Sequence, residues 1–229
     1  MNRKKKVKRR TGFLQVMFVL FWAGFLTSVS QASFIYSLKI FTGNGNYHNS
    51  PDLNFSVEAA EGGAGQVDFT FRNESGIDSC IASIYFDDGS LKEIAQITNG
   101  SGTSFSQPAT PHNLPAGNTL SPSFVTTDGL AVAADPSPAH NGINRGEWVK
   151  VTFNLMDGKT YNDIIYELKR GIDEPWSGGM RIGEHIIAFP DGSSESAVNI
   201  PEPMTIMLAG LGMGLIGRRI KHKLPARKI

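Results

Sequence analysis

The sequence has very little cysteine: one residue, Cys80, among 229. A single thiol cannot form a disulfide within the chain, so any folded domain must be stabilised by its core. Cys80 lies in the apolar, strand-like stretch DSCIAS, with no basic residue beside it to lower the thiol pKa. This setting predicts a buried and unreactive thiol.

The sequence also lacks the short motifs that mark common catalytic and metal sites. It has no G-x-S-x-G nucleophile elbow and no Walker or dinucleotide-binding glycine pattern. The five histidines form neither H-x-H nor H-x-x-x-H pairs, the spacings that bring two imidazoles to one metal ion. We therefore expect no enzyme activity and no cofactor. A glycosidase carboxylate pair is a minor alternative, drawn from four glutamates: Glu147, Glu167, Glu174 and Glu184.

Positive charge is scarce between the two ends of the chain. Residues 33–200 carry nine Lys and Arg against twenty Asp and Glu, a net charge of −11. Nucleic-acid phosphates require a basic face, so this acidic region excludes nucleic acid as the expected partner. This net negative charge can keep the domain soluble, or it can attract polyvalent cations.

The first 32 residues have the three parts of a secretory signal peptide. Seven basic residues within positions 1–10 precede an apolar run at 13–26, and small residues then lead to a predicted cut between Ala32 and Ser33. The alternative is an uncleaved anchor. The 14-residue apolar run is short against the roughly 20 residues that span a bilayer, which favours cleavage and export.

Residues 33–200 predict one all-β domain, an antiparallel β-sandwich or jelly roll with one short helix. Alternating apolar and polar residues predict strands, and these are at 34–41, 66–73, 147–155 and 180–189. The turn sequence DDGS between 80–86 and 91–97 predicts a β-hairpin. Helical spacing at 160–171 predicts the helix, with Thr160 or Asn162 as its N-cap and Gly171 as its end.

Long polar connections at 42–52, 106–122 and 133–147 hold most of the weaker site candidates. Asp87 and Asp88 could offer oxygen ligands to Ca²⁺, although a turn explains them without an ion. A second oxygen-rich set without calcium-loop spacing is Asp135, Asn141, Asn144 and Glu147. Trp176 and Tyr47 lie in Gly-rich loops, where aromatic faces can stack on sugar rings.

The segment 201–229 has three parts in order. Pro201-Glu202-Pro203 is followed by an apolar span at 204–217, then by a basic tail at 218–229 that begins with Arg218-Arg219. At ~1.5 Å per residue the apolar part covers about 20–25 Å, a marginal span of a ~30 Å bilayer core. The basic tail would hold that end in the cytoplasm. We expect a transient transmembrane helix rather than a lasting anchor.

Residues 201–219 resemble the PEP-CTERM sorting signal, which is also catalogued as an ice-binding protein C-terminal domain. The ten residues after Arg219 extend beyond the usual pattern. The resemblance implies a Gram-negative bacterium and a transient exosortase partner that removes the tail. Inner-membrane insertion would precede release to the cell surface or to an exopolysaccharide and biofilm matrix.

Residues 66–198 also resemble a β-rich ectodomain that recurs in PEP-CTERM proteins. No functional residue follows from that resemblance. The sequence thus predicts a non-catalytic surface or matrix protein, with carbohydrate binding as the alternative. Ice binding ranks third, because the scattered threonines Thr103, Thr110, Thr126 and Thr127 form no regular array.

Overall fold

The computed structural model describes residues 33–87, 89–174 and 178–199. Predictions for the signal peptide, the C-terminal sorting segment, Asp88 and Trp176 lie outside these residues. In the described part of the chain, no helix is both long enough and apolar enough to cross a membrane.

Ten strands and two α-helices follow one another along these residues. They are β1 (Phe34–Ile40), β2 (Phe55–Glu61), β3 (Gln66–Asn73), β4 (Cys80–Asp87), β5 (Leu91–Asn99), β6 (Phe105–Ser106), β7 (Ala131–Ala134), α1 (Pro138–Asn141), β8 (Trp148–Leu155), α2 (Tyr161–Asp173), β9 (Arg181–Ile187) and β10 (Glu195–Val198).

The strands follow the alternation of the sequence. In β3, buried residues alternate with half-buried ones along the whole strand, so Val67, Phe69 and Phe71 point into the core. The predicted strand at 66–73 is confirmed, and those at 34–41, 147–155 and 180–189 are confirmed to within two residues at each end. The short helix α1, which lies in the predicted loop 133–147, was not predicted.

All strand pairs are antiparallel, in the order β5-β8-β3-β2-β1-β10-β9-β4-β7-β6. β1 joins the two halves of the sheet: it pairs with β2 from Phe34 to Leu38 and with β10 at Lys39 and Ile40. The edge strands β5 and β6 meet through one side chain. The Asn99 amide accepts from the Phe105 N–H at 2.8 Å and donates to the Phe105 carbonyl at 3.3 Å. The sheet is therefore nearly closed and barrel-like.

The predicted hairpin between 80–86 and 91–97 is wrong. β4 pairs with β7 and β9, whereas β5 pairs with β8 at the other end of the sheet order. The reason is burial: every residue of β4 is buried, while most of β5 is exposed or half-buried. A strand that is covered on both faces lies in the middle of a sheet. The chain after Asp87 therefore continues to β5 at the far edge of the sheet.

The predicted helix is present as α2 and begins with a capping box. The Thr160 hydroxyl accepts from the Asp163 N–H, and the Asp163 carboxylate accepts from the Thr160 N–H at 2.8 Å. The prediction that Gly171 ends the helix is wrong, because α2 continues to Asp173. Gly171 is buried where the backbone of Met180 approaches the helix too closely for a larger residue.

The core has two parts, one on each face of β4. The larger cluster fills the inside of the curled sheet, where Phe86 contacts Phe69, Phe71 and Phe153 with ring centroids 4.6–6.0 Å apart. The smaller cluster lies on the outer face and includes Tyr85 with four residues of the segment 107–131. This segment forms an outer layer over β4 and β9.

Candidate functional site

The outer layer is attached to the sheet through Arg181 at the start of β9. Its guanidinium pairs with the Asp87 carboxylate on β4, and both side chains are buried. The same guanidinium donates to the Pro122 carbonyl at 2.7 Å and to the Ser123 carbonyl at 2.6 Å, and lies over the Phe124 ring at 5.3 Å. One cation thus joins two strands to the loop that covers them.

This arrangement bears on the predicted calcium site. The Asp87 carboxylate points to Arg181, and a bound guanidinium already supplies the positive charge that Ca²⁺ would supply. Among the described residues, no group of three or more His, Cys, Asp or Glu side chains could hold a metal ion.

A cleft of about 310 Å³ opens between the two ends of the outer layer. Its walls come from residues 107–113 and 126–131, and Gln107 spans it by donating to the Gly129 carbonyl at 2.7 Å. Asn113 accepts from the Thr126 N–H at 3.2 Å. The lining offers His112, Asn113 and Asp128 as hydrogen-bonding side chains.

The loop after β1 contains Tyr47, a predicted sugar-stacking residue. Its half-buried ring stacks on Phe189, with centroids 6.3 Å apart and planes 9° apart. The loop is held by two carboxylates: the Gly45 N–H donates to Glu195 at 2.7 Å, and the Asn46 N–H donates to Asp191 at 2.8 Å. One face of Tyr47 is therefore covered by Phe189.

A second cleft, of about 350 Å³, lies beside this loop. Residues 37–40 of β1 form one side and residues 48–55 form much of the other. Its polar lining includes Ser37, Lys39, His48 and Asn49, the other half of the lining is apolar, and none of the described lining residues is a carboxylate. Lys39 thus gives this cleft a cationic side chain in a domain of net negative charge.

The carboxyl group of Glu184 lies on the inner face of the curled sheet, beside Ile182 and Ile186 of the larger core cluster. Its side chain is fully buried, and neither carboxyl oxygen has a hydrogen-bond partner among the described residues. The Tyr36 hydroxyl is likewise enclosed and without a partner in this part of the chain. Burial raises the pKa of Glu184 to about 8. Burial, and then the charge of Glu184, raise the pKa of Tyr36.

The other glutamates of the glycosidase alternative lie outside β9, the strand of Glu184. Glu147 accepts from the Asn144 N–H at 2.8 Å, and Glu167 accepts from Ser90 at 2.8 Å and 2.5 Å. Glu174 is the C-cap residue of α2. Glu147 and Glu167 therefore each bind donors of the protein itself.

The remaining loop candidates stabilise their own loops. Asp135 accepts from the Ser104 and Ser106 hydroxyls at 2.6 Å each, which lowers its pKa. Asn141 donates to the Pro136 carbonyl at 2.8 Å. Thr103 donates to the Gly100 and Trp148 carbonyls at 3.1 Å and 3.3 Å. These hydrogen bonds hold the loops to one another, and the side chains do not form a set of metal ligands among the described residues.

Cys80 is buried, as predicted. Its thiol donates to the Pro138 carbonyl at 3.2 Å, and burial together with the charge of Glu147 raises its pKa to about 12. The sequence reasoning missed Arg181 and considered Glu184 only as a glycosidase carboxylate. Both are charged residues among the apolar residues of the strand RIGEHII, and that interruption is the signal that could have revealed their burial.

Comparison with known proteins gives no relative. No family model matches the chain, and neither a curated protein nor a solved structure matches it.

Proposed function

We propose that this protein is an exported, exosortase-processed protein of the cell surface or extracellular matrix, with a structural or adhesive role and no catalysis. The observation that carries the proposal is the order of features in one chain. A signal peptide precedes the domain, and Pro201-Glu202-Pro203, a marginal apolar span and Arg218-Arg219 follow it. The transient partners are the inner membrane and an exosortase of a Gram-negative bacterium.

The boundaries of the folded part support this proposal. β1 begins at Phe34, one residue after the predicted signal-peptide cut, and β10 ends at Val198, three residues before Pro201. These two strands pair with each other at Lys39 and Val198. Removal of 1–32 and of the segment after Pro203 would therefore leave every strand of the sheet in place. The curled sheet faces itself across one core, which also supports the finer classification as a β-sandwich of jelly-roll type.

The test is the intact mass of the protein recovered from culture, with and without the host's exosortase. We expect loss of residues 1–32 in both hosts, and loss of the segment after Pro203 only when the exosortase is present. The double variant Arg218→Ala/Arg219→Ala should retain its tail. The control Lys221→Ala/Lys223→Ala removes the same charge outside the motif and should still be processed. A full-length C-terminus in the exosortase-containing host would refute the sorting proposal.

The second candidate function is binding of the producer's own exopolysaccharide. The observation that favours it is the carboxylate-free cleft of about 350 Å³ beside the Tyr47 loop. We expect retention on immobilised exopolysaccharide to weaken in His48→Ala and in Trp176→Ala. His140→Ala, on the exposed face of α1, is the matched control. Equal retention of all variants would reject this candidate. Thermal hysteresis is the corresponding measurement for ice binding.

A further inference from the structure

The inside of the curled sheet contains three polar atoms that a packed core should not leave unpaired. They are the two carboxyl oxygens of Glu184 and the hydroxyl oxygen of Tyr36, each enclosed and each without a hydrogen-bond partner in the described residues. Most buried polar groups in proteins have partners, so each exception calls for a physical reason.

The position of Glu184 explains why no protein group reaches it. Glu184 lies opposite Ala197 on β10 and Ile84 on β4, two side chains without polar atoms. Its neighbours Ile182 and Ile186 belong to the larger core cluster. Tyr36 is on β1, which pairs with β10 only beyond this point, at Lys39 and Ile40. Both side chains thus belong to the interior of the sheet, and the charge of Glu184 acts on the Tyr36 hydroxyl.

Several charged groups on the surrounding elements have partners of their own. Arg181 pairs with Asp87 on the outer face, and Glu195 of β10 accepts from Thr42 and Gly45. On α2, Glu167 binds Ser90 and Lys169 lies over the Phe34 ring at 5.5 Å. On β2, a carboxylate oxygen of Glu58 lies 3.9 Å from a guanidinium nitrogen of Arg72. His185 follows Glu184 directly, and burial lowers its pKa, which disfavours a compensating cation.

We propose that Tyr36 and Glu184 form an internal hydration site, in which the neutral Glu184 carboxyl and the Tyr36 hydroxyl share bound water, and that loss of the Glu184 proton loosens the fold. A carboxylate without a partner in an apolar interior takes up a proton rather than remain charged. A buried water needs two to four polar partners, and these three atoms supply them. The site makes the stability of the domain fall as the pH rises through the range in which the unfolded chain, but not the folded protein, has lost this proton.

The test is carboxyl-carbon NMR of the full chain, labelled at glutamate and purified in detergent, across pH 4–10. Sequential assignment identifies the Glu184 resonance, so the measurement does not depend on a variant that folds. We expect a titration midpoint of about 8, against the ordinary value of 4.5. A midpoint near 4.5 would overturn the proposal.

A pair of tyrosine variants tests whether the two groups share water. Tyr36→Phe removes the enclosed hydroxyl and should move the Glu184 midpoint by half a pH unit or more, because the shared hydrogen bonds are lost. The matched control is Tyr166→Phe, which alters a tyrosine with 63% exposure on α2 and should leave the midpoint unchanged. Equal midpoints in Tyr36→Phe and the unmodified protein would contradict a shared site.

Discussion

Arg181 and Asp87 form a buried ion pair at the register position where β9 and β4 lie opposite each other. The guanidinium also donates to two carbonyls of the outer layer. The pair therefore determines both the contact between two central strands and the position of the loop that covers them.

Replacement of Arg181 by methionine should destabilise the domain strongly. The variant keeps the apolar bulk of the side chain but leaves Asp87 buried without this cation, a change that typically costs about 3–5 kcal/mol. Urea denaturation should show the loss in the free energy of unfolding. The control is Asp157→Asn, which breaks the exposed 3.9 Å pair with Lys92. It should cost no more than about 0.5 kcal/mol, and similar losses in both variants would contradict the anchoring role.

Gly171→Ala should destabilise the packing of α2 against the chain that leads into β9. A Cβ at this position would lie 1.9 Å from the Met180 carbonyl oxygen, a backbone atom that cannot rotate away. Overpacking of this kind costs about 1–3 kcal/mol or more. Gly43→Ala is the matched control, since its nearest atoms belong to His48 at 3.8–4.0 Å. Thermal unfolding should separate the two variants, and equal midpoints would show that α2 can shift freely.

The location of several strands follows from the sequence, whereas their pairing does not. Period-2 alternation in β3 and β8 predicts their location and their buried faces, because each strand has one face in the core. The position of β4 within the sheet does not follow from its sequence. All its residues are buried, and neither alternation nor the following turn reveals which strands lie beside it. Pairing depends on long-range contacts that local sequence does not encode.

The candidate sites were less predictable for a related reason. Tyr47 and Asp87 were candidates from the sequence, but their partners Phe189 and Arg181 lie about a hundred residues or more along the chain. The charge of Glu184 in an apolar strand is visible in the sequence. That its carboxyl oxygens have no hydrogen-bond partner among the described residues emerges only from the folded structure.

The stability of the domain should fall as the pH rises from about 4.5 to about 8. The folded-state pKa of Glu184 is raised to about 8 from 4.5. In this range the folded protein retains a proton that the unfolded chain has lost, and the unfolding free energy falls by up to about 1.4 kcal/mol per pH unit. The contribution is complete below about pH 4.5 and lost above about pH 8. His185, whose pKa is lowered, acts in the opposite direction near pH 6.

Glu184→Gln isolates the carboxyl contribution, because His185 is the same in both proteins. The difference in unfolding free energy between variant and unmodified protein should therefore change steadily across this pH range. Glu195→Gln is the control for the loss of a buried carboxylate that has hydrogen-bond partners, because Glu195 accepts from Thr42 and Gly45. A constant difference for Glu184→Gln would argue against a neutral buried acid.

Cys80 should not react with thiol reagents while the domain is folded. Burial, followed by the charge of Glu147, raises the thiol pKa to about 12, so the reactive thiolate is almost absent at pH 8. Iodoacetamide labelling followed by intact mass should show no adduct in buffer and one adduct in concentrated urea. Labelling in buffer at the rate of a free thiol would indicate that β4 opens locally.

The closure of the sheet should depend on Asn99. Its amide supplies both hydrogen bonds to the Phe105 backbone, in place of a strand ladder between β5 and β6. Asn99→Asp keeps an acceptor for the Phe105 N–H but sets a carboxylate oxygen against the Phe105 carbonyl, whereas Asn99→Ala removes both bonds. Each change should lower the free energy of unfolding by about 1–2 kcal/mol.

Hydrogen exchange at the Phe105 amide distinguishes the two variants. Asn99→Ala should speed this exchange about tenfold, and Asn99→Asp should speed it less. Gln96→Ala, at an exposed position of β5, should leave exchange unchanged. Slow exchange at Phe105 in Asn99→Ala would mean that packing alone, rather than this side chain, keeps the two edges together.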